Sequence, residues 1–210
     1  MEPIKILDAL ACPLPLANVD TDQLIPARFM KEPRSVGYGQ FLLHDLRHDA
    51  SGRPVEGFIL NRPQADQAKV LVARRNFGGG SSREAAVYAL VDYGFRCVIA
   101  PSFGDIFASN AVNNGLLPAT VSEEDAEALL TALSDTPGPL RVDLEAQRIE
   151  AGELSVAFSI APTWRTKLLN GWDDIDMTRQ HAERIRRFAA DYAERRPWLD
   201  TTPPEVISRG

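Results

Sequence analysis

The spacing of apolar positions changes along the chain, and the changes predict the order of strands and helices. Three short apolar runs bounded by turn residues predict buried strands, at Val70–Ala73, Cys97–Ala100 and 116–121. Apolar side chains three or four positions apart predict amphipathic helices over 85–93, Asp105–Asn113 and 126–133. Strands that alternate with helices in this way are typical of an α/β domain with parallel strands.

The flanking regions are less regular. A strand is predicted over 4–7, followed by an irregular stretch that contains Pro13, Pro15 and Pro26. Residues 31–68 are rich in glycine and proline, which predicts an excursion on the surface with a short helix over 39–46. Residues 140–160 alternate with a period of two, which predicts a β-hairpin or meander.

The tail of the chain has a helical apolar face. Ile185, Phe188 and Tyr192 fall on one side with many arginines opposite, and Pro197 ends the pattern. We therefore expect a C-terminal amphipathic helix within 176–198, as part of a single domain that spans 1–210.

The composition excludes several classes of protein. Hydrophobic residues make up 44% and charged residues 25% of the 210 positions, as in ordinary globular proteins. The formal charge of −6 is the opposite of the basic surface that binds nucleic acid, so no such partner is expected. No run approaches the roughly 18 apolar residues of a membrane span, and the sequence after Met1 does not follow a signal-peptide pattern. We expect a cytoplasmic protein with no membrane partner.

Cysteine and histidine are too few and too scattered to hold a metal. Cys12 and Cys97 are far apart and form no CxxC pair, so neither a disulfide framework nor an iron–sulfur cluster is expected in this chain. His44 and His48 are spaced to share a helical face, but with His181 they do not form a zinc-ligand set, and surface positions are favoured.

Residues 76–84 (NFGGGSSRE) contain the most specific signal. A strand that runs through three glycines into a helix N-terminus exposes unpaired N–H groups at the positive end of the helix dipole, which favours an anion. The segment lacks the lysine of a nucleotide phosphate loop and the GxSxG spacing of a serine hydrolase. Arg83 offers a planar fork for a carboxylate. The structural alternative is a helix capping box formed by Ser81 and Glu84.

An acidic segment, residues 18–29 (NVDTDQLIPARF), is the second candidate. Its two aspartates, Asp20 and Asp22, allow either a metal loop or a turn built on aspartate and asparagine side chains. The segment lacks the glycine and the terminal glutamate of an EF-hand loop, which favours the turn.

Segments 18–29, 76–84 and 100–117 (APSFGDIFASNAVNNGLL) together resemble the three signatures of isopropylmalate dehydratase small subunits, which are similar to the swivelling domain of aconitase. The motifs occur in the family's order, and the resemblance extends to residues 168–171 and the tail helix. It implies an aconitase-like α/β swivelling domain with three layers, β/β/α, and a C-terminal amphipathic helix.

The resemblance also implies a function and a partner. A separate large subunit would carry a four-iron four-sulfur cluster, with the two subunits forming a heterodimer or a heterotetramer. The enzyme would be a hydro-lyase that interconverts 2-isopropylmalate and 3-isopropylmalate through 2-isopropylmaleate, in leucine biosynthesis.

The family motif further implies site residues in this chain. Ser81 would be the catalytic base, Ser82 and the amides of Gly79 and Gly80 would help to bind the substrate, and Arg83 would bind a carboxylate. Two residues match the family's other substrate-side loop, Asp22 and Arg28. Phe29 and Met30 are predicted either to touch the isopropyl group or to pack in the core.

Two positions depart from the family pattern NFGCGSSREHA. Gly79 stands where the cysteine is expected, and Ala85 stands where the histidine is expected. These departures leave two alternatives open. The chain is then the small subunit of a related hydro-lyase for another substituted malate or maleate, of the citraconate or dimethylmaleate type, or a non-catalytic partner that binds a carboxylate.

Overall fold

The structure is a computed structural model that describes residues 1–196 and Trp198. These residues belong to two compact units, Met1–Asp173 and a second that begins at Asp174. The strands of the first unit are β1 (Ile6–Leu14), β2 (Val70–Ala73), β3 (Cys97–Ala100), β4 (Leu117–Thr120), β5 (Gly138–Asp143), β6 (Arg148–Ala151) and β7 (Leu154–Ala157). Its α-helices are α1 (Thr21–Leu24), α2 (His44–Arg47), α3 (Glu84–Tyr93), α4 (Asp105–Asn113), α5 (Glu123–Leu133) and α6 (Pro162–Asn170).

The strands form one mixed sheet in the order β4-β3-β2-β1-β5-β6-β7. β1 to β4 are parallel, whereas β5, β6 and β7 form an antiparallel meander that joins the sheet at β1. The pairing of β1 changes at Ala11, which pairs with Gly138 of β5 on one side and with Val70 of β2 on the other. Residues before Ala11 pair only with β5, and residues after it pair only with β2. Both the alternation of parallel strands and helices and the later meander are therefore confirmed.

Successive residues of each buried strand point to different cores, as the pleat requires. Cys12 and Leu71 lie in a core covered by α3 and by residues of the 31–68 segment. Ala11 and Val70 lie in a second core, which contains α5 and the inner face of the meander. Because α5 contacts β1 and β2 as well as β6 and β7, the sheet curls around this helix.

The predicted strand over 4–7 is wrong in its extent. β1 runs to Leu14 and includes Pro13, which was predicted to lie in an irregular stretch. Proline has no N–H to donate and is normally confined to strand edges. Here the pairing of β1 with β5 ends at Ala11, so Pro13 lies where one side of the strand has no ladder.

Residues 31–68 are irregular, with short 3-10 turns and the single turn α2 in place of the predicted helix over 39–46. The segment is anchored by apolar side chains, since Leu42, Leu43 and Leu60 are buried. It therefore covers the α3 side of the sheet.

The second unit contains α7 (Asp174–Arg179) and α8 (Ala182–Arg195). The predicted C-terminal helix is confirmed in α8, where the rings of Phe188 and Tyr192 lie 5.7 Å apart on the apolar face. Pro197, predicted to end it, lies outside the described residues. Among the residues that the structure describes, no helix has both the length and the apolar content of a membrane span.

Replacement of Gly78 tests how tightly the glycine turn is packed. Its φ is +71°, and a Cβ there would lie 2.2 Å from Cγ of Phe107. We expect Gly78→Ala to lower the free energy of unfolding by about 2–4 kcal/mol, through backbone strain and overpacking. Gly52, with φ +75° and nothing within 4 Å of an added Cβ, is the control, and Gly52→Ala should cost about 1 kcal/mol. Urea unfolding measures both, and equal losses would contradict the packing argument.

Candidate active site

The glycine turn is fixed on one side by the loop that precedes α4. The N–H of Phe77 donates to the carbonyl of Ser102 at 3.0 Å, and the N–H of Gly104 donates back to the carbonyl of Phe77 at 2.9 Å. A Cβ on Gly104 would lie 2.5 Å from the carbonyl oxygen of Gly78, so this close approach requires glycine. The second and third motifs in chain order, residues 76–84 and 100–117, therefore meet through their backbones.

The first motif in chain order, residues 18–29, fixes the other side of the turn. Gly78 donates its N–H to the carbonyl of Val19 at 2.7 Å, and Thr21 donates its N–H to the carbonyl of Gly79 at 3.0 Å. The buried hydroxyl of Thr21 also donates to the carbonyl of Ser81 at 2.8 Å. Thr21 thus determines the course of the turn, although nothing in its sequence context distinguishes it from an ordinary loop threonine.

The turn keeps N–H groups available for a ligand, as predicted. Within residues 1–196, the N–H groups of Gly80, Ser81 and Ser82 donate no hydrogen bond, and neither serine hydroxyl has a partner. Both serines are exposed. Such a run of free donors beside a helix N-terminus attracts anions.

The capping-box alternative for Ser81 is wrong. α3 begins at Glu84 with Arg83 as its N-cap residue, and no side chain caps it. The Glu84 carboxylate instead accepts a hydrogen bond from Nδ2 of Asn114 at 2.9 Å. Helix capping therefore does not account for the two serines.

A capping box does form in the acidic segment, at α1. The Asp20 carboxylate accepts from the N–H of Gln23 at 2.7 Å, and the Gln23 side chain accepts from the N–H of Asp20 at 3.0 Å. Asn18 accepts from Nδ2 of Asn76 at 3.0 Å. These contacts agree with the turn that the sequence favoured.

Arg83 joins the turn to α1. Its Nη1 donates to the carboxylate of Asp22, and its side chain is half-buried, with 21% exposed. The structure therefore brings together Asp22, Gly79, Gly80, Ser81, Ser82 and Arg83. All but Asp22 line a cleft of about 220 Å³.

The start of α4 forms the opposite wall of this cleft. Gly104, Asp105, Ile106 and Phe107 line it, and Ile106 is 54% exposed. α4, like α3, has no side-chain cap, so two helix N-termini face the same cleft. The sequence pattern identified this segment as a helix start, but it did not indicate that Asp105 and Ile106 belong to the site.

Gly79 is accommodated without strain where the family pattern has cysteine. Its φ is not in the left-handed region, and a Cβ there would lie 3.0 Å from Oδ1 of Asn76. A larger residue would require Asn76 to shift by a few tenths of an ångström, so glycine leaves the contacts of Asn76 intact. Ala85, the other departure, is half-buried in the first turn of α3.

Arg28 does not line this cleft. Its guanidinium is paired with both carboxylate oxygens of Asp45 and lies over the ring of Phe29 at 4.5 Å. With His44 and His48, whose rings stack at 4.4 Å, it lines a separate pocket of about 370 Å³. Its role in substrate binding stays a prediction.

Phe29 and Met30, the two apolar residues that follow Arg28, differ in their surroundings. Phe29 stacks on Phe41 at a centroid distance of 4.3 Å, which favours packing, whereas Met30 is exposed. Neither residue lines the glycine cleft.

Neither cysteine is suited to bind a metal. Both are buried inside strands, and burial raises the pKa of the Cys12 thiol to about 12 and raises that of Cys97 as well. A thiol must lose its proton to become a ligand. Within the described part of the chain, no three His, Cys, Asp or Glu residues are grouped to hold a metal ion. The described residues therefore do not fit an iron–sulfur cluster.

The contribution of the Arg28–Asp45 pair to stability should depend on pH. The hydrogen bond from Arg28 lowers the pKa of Asp45 from its ordinary 3.8 to about 2. The pair should therefore stabilise the fold above pH 3.8 and lose this contribution as the pH falls through 2, modestly because both side chains are exposed. A carboxyl-carbon NMR titration should place the pKa of Asp45 near 2 in the native protein and clearly higher in Arg28→Ala, where only the contact with His44 still lowers it. Lys31→Ala is the control, and an ordinary midpoint in the native protein would contradict the pairing.

Comparisons with known proteins identify the family of this chain. The family model of the aconitase C-terminal domain matches residues 1–124, and a model of the C-terminal domain of 3-isopropylmalate dehydratase small subunits matches residues 174–202. A solved structure titled 3-isopropylmalate dehydratase, from Methanocaldococcus jannaschii, superposes with a TM-score of 0.62 at 24% identity, covering 87% of this chain and 98% of that one. At this identity the structural match supports the fold alone, and together with the aconitase-domain model it confirms the swivelling-domain prediction.

Curated relatives share more of the sequence. The 3-isopropylmalate dehydratase small subunit of Rhodospirillum centenum is 46% identical over 94% of this chain and 98% of its own length. Its namesake from Shouchella clausii is 44% identical over 90% of this chain and 95% of its own length. The chain therefore belongs to the 3-isopropylmalate dehydratase small-subunit family, within the larger family of aconitase C-terminal domains.

Proposed function

We propose that this chain is the small subunit of a 3-isopropylmalate dehydratase and supplies the base and a carboxylate clamp for the dehydration. The observation that carries the proposal is the cleft at residues 78–83. It combines two free serine hydroxyls, unpaired backbone N–H groups and an arginine fork. The names of the curated relatives supply the substrate.

The cleft suits a dicarboxylate. Arg83 can pair with a carboxylate through two parallel N–H groups, and the N–H groups of Gly80, Ser81 and Ser82 can bind developing negative charge. The N-terminus of α3 adds a positive partial charge at the same place. Together these donors would hold the carboxylate next to the carbon that loses its proton.

Proton removal is assigned to Ser81. In the dehydration direction, the base takes a proton from the carbon beside a carboxylate, and the C–O bond on the neighbouring carbon breaks to give a double bond. The departing hydroxide would need a second proton, from a group outside this chain, to leave as water. Oγ of Ser81, as the alkoxide, would accept the proton from carbon and return it on rehydration. A serine hydroxyl is a weak acid, so the anion needs the unpaired N–H groups and the Arg83 charge for stabilisation.

The departing hydroxyl requires chemistry that this chain does not hold. A four-iron four-sulfur cluster in a large subunit, as the family resemblance implies, would supply Lewis-acid chemistry there. The exposure of Ser81 and Ser82 supports an incomplete site, because proton transfer of this kind is favoured where bulk water is excluded. We infer that the cleft is covered by a large subunit, in a heterodimer or heterotetramer located in the cytoplasm.

A related hydro-lyase is the second candidate. Gly79 and Ala85 change two positions of the motif next to the proposed base, and in this second candidate the substrate carries a different substituent, as in citraconate or dimethylmaleate chemistry. The assembled enzyme should be assayed with 2-isopropylmalate beside these substrates. Turnover confined to the substrates without an isopropyl group would replace the first proposal by the second.

The test of the catalytic assignment is Ser81→Ala in the complex with the large subunit. We expect kcat to fall roughly 10²–10⁴-fold with little change in KM, because general-base catalysis is lost while the carboxylate clamp remains. Formation of the unsaturated intermediate, followed by its ultraviolet absorbance, measures the rate. Ser51→Ala, in an exposed turn outside the cleft, is the matched control. Unchanged turnover in Ser81→Ala would remove the catalytic role and favour a non-catalytic, carboxylate-binding subunit.

A further inference from the structure

We propose that Asp22 is a positioning residue, which holds the Arg83 guanidinium at the glycine turn and does not itself contact the substrate. This inference rests on the proposed function and changes one part of it. The family resemblance implies that Asp22 binds the substrate, whereas in the structure its carboxylate contacts the guanidinium of Arg83.

The backbone that carries Asp22 is rigidly placed. Its neighbour Thr21 is 2% exposed and is bonded to the turn through both its N–H and its hydroxyl. The capping box between Asp20 and Gln23 fixes the first turn of α1, and Leu24 anchors that helix in the core. Asp22 is therefore held beside the glycine turn by its own helix, independently of any ligand.

Arg83 lacks such anchoring. It is the N-cap residue of α3, with extended backbone angles and no capping contact of its side chain. Among the described residues, the Asp22 carboxylate is the only hydrogen-bond partner of its guanidinium, through Nη1. A long side chain with many rotamers needs such a contact to keep one orientation, and the other N–H groups of the fork remain free for a substrate carboxylate.

Charge argues against direct contact between Asp22 and a substrate carboxylate. The proposed substrate carries two carboxylates, and a third carboxylate in direct contact would repel it. Contact through Arg83 would avoid this repulsion, because the guanidinium would lie between the Asp22 carboxylate and that of the substrate. The Asp22 carboxylate can then orient the fork while its own charge is neutralised by the same group.

A double-mutant cycle in the assembled enzyme tests the inference. Asp22→Ala should raise KM roughly tenfold with a smaller effect on kcat, because it removes the one charge-assisted hydrogen bond that orients Arg83. Asp22→Asn, whose amide oxygen still accepts from Arg83, should recover most of the loss. In an Arg83→Ala background, Asp22→Ala should change KM less than about twofold, because a residue that acts through Arg83 has nothing left to orient.

Asp8→Ala is the matched control, since Asp8 is a similarly exposed aspartate paired with Arg141 on another part of the sheet. It should leave KM unchanged. Additive losses in the cycle would overturn the inference by showing that Asp22 acts on the substrate separately from Arg83. An unchanged KM in Asp22→Ala would overturn it as well.

A second measurement separates this inference from the proposed function. NMR relaxation of the Arg83 Nε–H signal measures the mobility of this side chain. The side chain should be ordered in the native chain and in Asp22→Asn, and mobile in Asp22→Ala. Equal mobility in all three would overturn the positioning role even in an active enzyme. Conversely, a native complex that converts no substituted malate would refute the proposed function, while an ordered Arg83 would still support the pairing with Asp22.

Discussion

The backbone hydrogen bonds that hold the glycine turn between two other loops are the constraint on which the site depends. Val19 and Thr21 bind it from one side, and Ser102 and Gly104 bind it from the other. These backbone contacts use the N–H groups of Phe77 and Gly78 and the carbonyls of Phe77 and Gly79, and the hydroxyl of Thr21 binds the carbonyl of Ser81 as well. The N–H groups that follow are left without a partner, so the same bonds that shape the turn also leave free the donors that we propose bind an anion.

The sheet places these loops where they can meet. β1, β2 and β3 are adjacent and parallel, so the segments that leave their carboxyl ends emerge at one edge. Ligands commonly bind at such an edge in α/β proteins. The order of the strands therefore brings the three motifs together, although the whole 31–68 segment separates the first motif from the second along the chain.

Local signals predicted much of this fold from the sequence. The short apolar runs and the helical spacing identified β2, β3, α3 and α4, since these patterns reflect burial directly. β1 was underestimated because Pro13 normally interrupts a strand, and only the sheet order reveals that its neighbour β5 has already ended. The capping box at Ser81 was wrong for a related reason. Ser81 matches a cap in sequence, but its carbonyl is bound by Thr21, 60 residues away.

The chemistry of the site was predictable in part. The glycines, Ser81, Ser82 and Arg83 are contiguous, so one motif identifies them together. The partners of the two arginines were not predictable, because Arg83 pairs with an aspartate 61 positions away and Arg28 pairs with one in an irregular segment. Pairing at such distances depends on the tertiary fold, which a single sequence does not specify residue by residue.

The central claim is that the turn at 78–83 binds a carboxylate of the substrate. A crystal structure of the assembled enzyme with 2-isopropylmalate tests it most directly. We expect one carboxylate to lie within about 2.7–3.2 Å of the free N–H groups of Arg83 and of a backbone N–H between Gly80 and Ser82. A substrate bound elsewhere, such as in the pocket beside Arg28 and His44, with the glycine turn facing only water, would contradict the account.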